Sequence, residues 1–108
     1  MRKIPIQGIP SQKFRVVLDE QNCTISLYYR FGNMYLDLYV KGTAIELGAI
    51  VRNRAAINKI SNANFSGSLH MLDIRGNDDV GKNYAEMGTR FVLLYLSGGE
   101  TIPEGLRY

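Results

Sequence analysis

The sequence predicts an all-β fold: a small antiparallel β-barrel or sandwich of about six strands, with an extended N-terminal arm and at most one short helix. Short stretches in which apolar and polar residues alternate recur along the chain, as in half-buried strands. Turn signals rich in Gly, Asn and Asp separate those stretches. Helical spacing of apolar residues is confined to one short segment, residues 52–64.

The first strands follow a proline-containing lead-in. Residues 1–12 hold two of the three prolines and show no sustained alternation, so we expect an extended arm that lies on the rest of the fold. Alternation begins at Lys13 and predicts a strand that ends at Leu18, before turn residues 19–22. The same pattern predicts five further strands, over residues 23–30, 34–40, 43–51, 68–74 and 89–96.

The remaining segments are predicted to lack strands. Residues 52–64 are expected to form one short helix or a basic loop, and residues 75–88 a polar segment. Residues 97–108 are expected to form a C-terminal tail. The whole chain, residues 1–108, is long enough for one hydrophobic core, so we expect a single domain.

Composition restricts the class of protein. Hydrophobic residues make up 45% and charged residues 21% of the chain, as is usual for a globular protein. No apolar stretch approaches the roughly 18 residues of a membrane helix, and the first ten residues lack the apolar region of a secretory signal. We therefore expect a protein made and kept in a cytoplasm, with no membrane partner. The net charge of +3 is dispersed along the chain and supports only weak attraction to acidic partners.

The sequence contains no pattern that is typical of catalysis or of cofactor binding. Cys23 is the only cysteine, which excludes an internal disulfide and a multi-cysteine metal site. His70 is the only histidine and is expected to be structural. The run DIRGNDDVG, residues 73–81, does not have the spacing of a calcium loop and is predicted to be an ordinary acidic turn. We expect no enzyme activity, no metal, no cofactor and no small-molecule substrate.

Aromatic and basic residues are concentrated around the turn between the second and third predicted strands. Such residues are enriched at protein interfaces, and on a small barrel they can also stack single-stranded bases. A third interpretation is that tyrosine simply suits a strand. The residues concerned are Tyr28, Tyr29, Arg30, Phe31, Tyr35 and Tyr39, joined in the nucleic-acid interpretation by Arg52, Arg54 and Lys59.

The last predicted strand is apolar on both faces. Alternation sends Phe91, Leu93 and Tyr95 to one side of the strand and the residues between them to the other. One face can point into the core, whereas the other can meet a neighbouring subunit or the chain's own helix and arm. That second face consists of Val92, Leu94 and Leu96.

Four segments carry a family resemblance: IPIQGIPSQKFRVVLDEQNCTISLYYR, GNMYLDLYVKGTAIELGAIV, SGSLHMLDIRGNDD and YAEMGTRFVLLYL, which together span residues 4–96. Their order resembles that of the baseplate plug proteins of contractile-tailed bacteriophages. The parts most alike are Ile4-Pro5-Ile6, Gln12 with Phe14, Tyr35-Leu36-Asp37 and Met87-Gly88.

The resemblance implies a structural protein of the virion tail, assembled in the host cytoplasm. It implies a baseplate plug or hub subunit that links the end of the tail tube to the central hub, without enzyme activity. Its partners would be other baseplate, tail-tube and hub proteins, and further copies in a homo-oligomeric ring. The alternative function is that of a small β-barrel that binds single-stranded nucleic acid. Interface residues are expected on the arm, on the second hairpin and on the outer face of the last strand: Ile4, Pro5, Ile6, Tyr28, Arg30, Tyr35, Tyr39, Val92, Leu94 and Leu96.

Overall fold

Two antiparallel sheets make up the fold in the computed structural model, which describes residues 2–57 and 67–97. The all-β prediction is confirmed, with seven strands where about six were predicted. The strands are β1 (Arg2–Ile4), β2 (Ser11–Leu18), β3 (Gln21–Arg30), β4 (Asn33–Val40), β5 (Thr43–Ile50), β6 (Ser68–Asp73) and β7 (Phe91–Leu96).

Helical structure in the described part of the chain is limited to two single 3₁₀ turns, Val80–Lys82 and Tyr84–Glu86, within the predicted polar segment. No helix there is long and apolar enough to cross a membrane. The segment predicted as a short helix or basic loop pairs instead with β6, through bridges from Asn53 to Met71 and from Ala56 to His70. Its residues 58–64 lie outside the described residues.

Three two-residue turns connect the larger sheet, whose strand order is β2-β3-β4-β5. Both central residues of each turn have positive φ, as required by the type I′ turn that matches the twist of a β-hairpin. The first central residue is never glycine, and left-handed backbone at such a residue costs about 1–2 kcal/mol. The central pairs are Asp19 and Glu20, Phe31 and Gly32, and Lys41 and Gly42.

The smaller sheet joins the two ends of the described chain. Its order is β1-β7-β6, so β7 is the central strand, and Arg2–Ile4 pairs antiparallel with Leu93, Leu94 and Tyr95. The prediction that residues 1–12 form only an extended arm was therefore wrong at both of its ends. The first residues form edge strand β1, and Ser11 and Gln12 already belong to β2.

The central part of the arm does lie on the fold, as expected. A Cβ on Gly8 would come within 2.1 Å of the Ala85 carbonyl oxygen, and one on Gly88 within 2.5 Å of the Ile6 carbonyl oxygen. The two backbones are thus in direct contact, and Gly88 also has a φ of +91°. Ile6 packs against the core from this segment.

The core lies between the two sheets. Burial alternates strictly along β3 and β4, so that every second side chain is inaccessible to water. The inward residues of β3 and β4 form one cluster with those of β6 and β7: Cys23, Ile25, Leu27, Met34, Leu36, Leu38, Val40, Leu69, Met71, Phe91, Leu93 and Tyr95.

Strand β7 is buried on both faces within the chain. Its outer residues Val92, Leu94 and Leu96 are only 4%, 2% and 3% exposed. Val92 and Leu94 belong to a second, smaller cluster with Leu72, against which Ile74 packs. The folded chain itself therefore shields this face from water. Contact of this face with a neighbouring subunit stays a prediction.

We expect Leu94→Asp to lower the free energy of unfolding by about 4 kcal/mol, because it places an unpaired carboxylate where no water reaches. Val17→Asp, at a position that is 49% exposed, is the matched control and should change stability by no more than about 0.5 kcal/mol. Urea unfolding followed by circular dichroism measures both. If Leu94→Asp unfolds at the same urea concentration as the native protein, the outer face of β7 is open in solution.

Candidate interaction surfaces

The outer side of the larger sheet carries a cluster that we call the tyrosine face, made of Tyr28, Arg30, Tyr35 and Tyr39. Tyr28 and Tyr35 are cross-strand neighbours, and their rings stack with centroids 5.9 Å apart. The Arg30 guanidinium lies 5.5 Å from the centre of the Tyr28 ring, within reach of a cation–π interaction. Three predicted interface residues are therefore brought together, and Tyr39 lies on the same face further along β4.

Asp37 fixes the position of Tyr28. One carboxylate oxygen of Asp37 accepts hydrogen bonds from the Tyr28 hydroxyl at 3.0 Å and from the Gly48 amide at 2.7 Å. The Gly48 contact lies where β5 departs from regular pairing with β4. Partial burial raises the pKa of Tyr28 above its ordinary value, and the hydrogen bond to Asp37 raises it further. Tyr28 thus presents a neutral, oriented ring, as suits an interface residue.

The tip of the β3–β4 hairpin lies within the aromatic and basic stretch that the sequence indicated as a candidate interface. Phe31 is 96% exposed, the largest exposure among the exposed large apolar residues of the described chain. Behind it, the Tyr29 and Tyr84 rings pack with centroids 4.9 Å apart. The aromatic sequence around residue 31 was visible, but turn chemistry alone did not show that this ring contacts nothing.

A cleft opens at the other end of the larger sheet, between β1 and β2. It has a volume of about 910 Å³, and its apolar lining includes Phe14 and Val16. Three basic side chains, those of Arg2, Arg15 and Lys41, also line it. Arg2 crosses from one sheet to the other and donates a hydrogen bond to the Val17 carbonyl oxygen.

The predicted arm residues have three different environments. Ile4 is 1% exposed and belongs to the core of the single chain, and its assignment as an interface residue stays a prediction. It pairs with Leu93, which sends its side chain between the sheets. Pro5 is exposed and Ile6 partly buried, and both line a smaller cleft of about 350 Å³ with Lys3.

The acidic turn is organised around the guanidinium group of Arg90. The Asp73 carboxylate is fully buried and accepts two hydrogen bonds from Arg90, at 2.7 and 2.9 Å. Arg90 also contacts the carboxylates of Asp78 at 2.8 Å and Glu86 at 3.2 Å. These oxygen atoms face a guanidinium, as suits an ordinary acidic turn, and the preference for such a turn over a calcium site stays a prediction. No group of three or more potential metal ligands occurs in the described ranges.

The His70 ring also makes hydrogen bonds within the chain. One ring nitrogen lies 2.9 Å from the Ser68 hydroxyl and the other 3.2 Å from the Arg54 carbonyl oxygen. These contacts attach residues 53–57 to strand β6, alongside the backbone bonds from Arg54 and Ile57 to that strand. The structural interpretation of His70 is therefore confirmed.

Two of the basic residues on which the nucleic-acid interpretation depends contact other groups of the chain. Arg52 is paired with the Asp79 carboxylate at 3.3 Å, and Arg54 donates to the Asp73 carbonyl oxygen at 3.1 Å. Lys59 lies outside the described residues. The described contacts of Arg52 and Arg54 therefore do not favour this interpretation.

We expect Asp73→Asn to lower Tm by about 10 °C at neutral pH, because Arg90 loses its buried carboxylate partner. Hydrogen bonds from Arg90 hold the pKa of Asp73 well below its usual range. The stabilisation is therefore complete above about pH 4 and is lost as the pH falls toward the native-state pKa. The Tm difference between native protein and variant should accordingly shrink below about pH 4 in calorimetry.

Asp79→Asn is the control for this prediction. Its amide oxygen can still accept the hydrogen bond from the Asn53 backbone, and the pair that it loses with Arg52 is half-exposed. Equal losses of Tm in the two variants, or a loss for Asp73→Asn that does not vary with pH, would contradict the assignment.

Comparison with known proteins agrees with the resemblance noted in the sequence. The comparison with curated proteins finds no match. The family model described as cyanophage baseplate Pam3 plug gp18 matches residues 1–99, nearly the whole chain. The predicted resemblance to baseplate plug proteins is thereby confirmed. The chain belongs to the cyanophage baseplate Pam3 plug gp18 family.

Proposed function

We propose that this baseplate plug protein is a non-enzymatic adaptor that joins the end of the tail tube to the central hub of a contractile tail. The observation that carries the proposal is the family match over residues 1–99. Membership of a baseplate plug family implies a place in the virion tail and contacts with other baseplate proteins. The finer role, a link between tube and hub assembled in the host cytoplasm, is our inference.

An adaptor needs at least two separate contact surfaces, and the structure has candidates at opposite ends of the larger sheet. The Phe31 tip lies at the end where β3 leads into β4. The cleft between β1 and β2 includes Lys41 and therefore lies at the end where β4 leads into β5. The tyrosine face lies between the two ends. This arrangement supports contact with one neighbour at each end.

The adaptor is proposed to act as a ring of identical copies. A tube and a hub that share a central axis are matched most simply by a closed ring with cyclic symmetry. The tyrosine face is a surface that a second copy can reach, since its residues lie on the outer side of the larger sheet. Small closed rings favour on the order of three to six copies per particle.

The proposal predicts a defined copy number and two classes of neighbour. Quantitative mass spectrometry of purified particles, normalised to the tail-tube subunit, should find on the order of three to six copies per particle. Chemical cross-linking of the same particles should connect this chain to a tube subunit and to a hub subunit.

Three results would contradict parts of the proposal. Absence of the chain from particles removes the adaptor role altogether. Cross-links to only one of the two neighbours remove the link between tube and hub. Oligonucleotide binding that weakens steeply as salt is raised, in a chain absent from particles, would favour the nucleic-acid alternative.

A further inference from the structure

The most exposed large apolar residue among those that the structure describes occupies a strained position. Phe31 is 96% exposed and has a φ of +48° at the first central position of a two-residue hairpin turn. This position favours Asn, Asp or Gly, and a bulky residue with positive φ is an outlier. Phe31 thus combines an unfavourable backbone with a ring that gains nothing from burial. Strained residues of this kind cluster at functional sites.

The other two turns of the same sheet provide an internal comparison. They have the same loop length and positive φ at both central residues, yet their first positions hold Asp19 and Lys41. Both are charged residues that suit an exposed turn. Turn geometry therefore does not require an aromatic residue, and the choice of phenylalanine is specific to the β3–β4 tip.

The surroundings of the tip are rigid. A Cβ on Gly81 would come within 2.5 Å of the Gly32 carbonyl oxygen and 2.7 Å of the Asn33 Cα, so the 3₁₀ turn beginning at Val80 packs directly on the hairpin. The same loop also supports the hairpin through the packed rings of Tyr29 and Tyr84. A ring held on a rigid support loses little conformational entropy when it binds.

The charges around the tip are mainly positive. Arg30 precedes Phe31 and is exposed, and exposed Lys82 follows the glycine that packs on the turn. The Arg52 guanidinium lies 3.5 Å from the side-chain oxygen of Asn33 and is 51% exposed. Asp79 is the counterion of Arg52, which leaves a net positive rim around an apolar ring.

We propose that Phe31 is an anchor that inserts into an apolar pocket with an acidic rim on a different baseplate protein. A second copy of this chain is a poor receptor at the two clefts described above, because basic residues line them: Arg2, Arg15 and Lys41 in one, and Lys3 in the other. A tip with a positive rim is repelled by such clefts and attracted to carboxylates. The inference rests on the proposed adaptor function and specifies the chemistry of one partner.

The test exploits the strain in the turn. Phe31→Asn introduces the residue that the turn favours, so the isolated protein should keep or raise its Tm while losing the anchor. Glu20→Asn is the control, because it makes an exposed substitution at another positive-φ position at the opposite end of the sheet. Each variant is supplied in place of the native chain during phage growth, and its copies per particle are counted by mass spectrometry.

We expect Phe31→Asn to lower the copies per particle at least about tenfold, as removal of a central aromatic anchor does, and Glu20→Asn to leave them unchanged. Incorporation of Phe31→Asn at the native level, with the native chain present in particles, overturns the anchor and leaves the adaptor function intact. A marked fall in Tm for Phe31→Asn also overturns it, because the ring then stabilises the chain itself. Absence of the native chain from particles overturns both proposals.

The acidic rim is tested separately by reversing charge at the tip. Lys82→Glu should lower incorporation, whereas Lys13→Glu, on an exposed position of β2, should not. Equal incorporation of both variants would overturn the acidic partner surface. A loss that is also seen with Lys13→Glu would overturn the assignment of the effect to the tip.

Discussion

The burial of β7 on both faces is the constraint on which the rest of the structure depends. β7 is the central strand of the smaller sheet, and one of its faces supplies Phe91, Leu93 and Tyr95 to the main core. Because β1 pairs with the edge of β7 opposite to β6, the first described residues of the chain are attached to the last strand. A 108-residue protein has little apolar area to spare, and all six residues of this strand are buried, against four in β4, the most buried strand of the larger sheet.

Backbone contacts and one buried ion pair hold the connecting segments against this frame. Gly8, Gly81 and Gly88 allow three backbone segments to touch where a side chain would separate them. The Asp73–Arg90 pair ties the end of β6 to the residue before β7 and organises the acidic turn between them. The loop that contains the two 3₁₀ turns is thereby positioned firmly enough to support the β3–β4 hairpin. The buried Asp73–Arg90 pair therefore supports, through this loop, the β3–β4 hairpin that carries Phe31.

The surfaces that remain available differ in chemistry. The tyrosine face is flat and hydrogen-bonded, with rings oriented by Asp37 and by each other. The Phe31 tip projects and is apolar, whereas the cleft between β1 and β2 is concave and bordered by basic side chains. Flat, projecting and concave surfaces on one small fold allow contacts with several neighbours at once, which suits the adaptor role that we propose.

The sequence by itself determined the local elements of this protein. Alternation of apolar residues from Lys13 to Val40 and the turn residues between them predicted three strands and both hairpins, because side-chain period and turn conformation are properties of neighbouring residues. The order of segments was also sufficient for the family, which the match over residues 1–99 confirmed.

Only the tertiary structure decided which faces are free. Ile4 and Phe31 are both apolar residues near turn-like sequence, yet one is 1% and the other 96% exposed. The difference arises because Ile4 pairs with Leu93, nearly ninety positions away, whereas the Phe31 side chain is left exposed at the tip of the second hairpin. Burial of Val92, Leu94 and Leu96 likewise depends on contacts between distant segments. Solvent exposure is a property of the packed chain, so a local pattern cannot determine it.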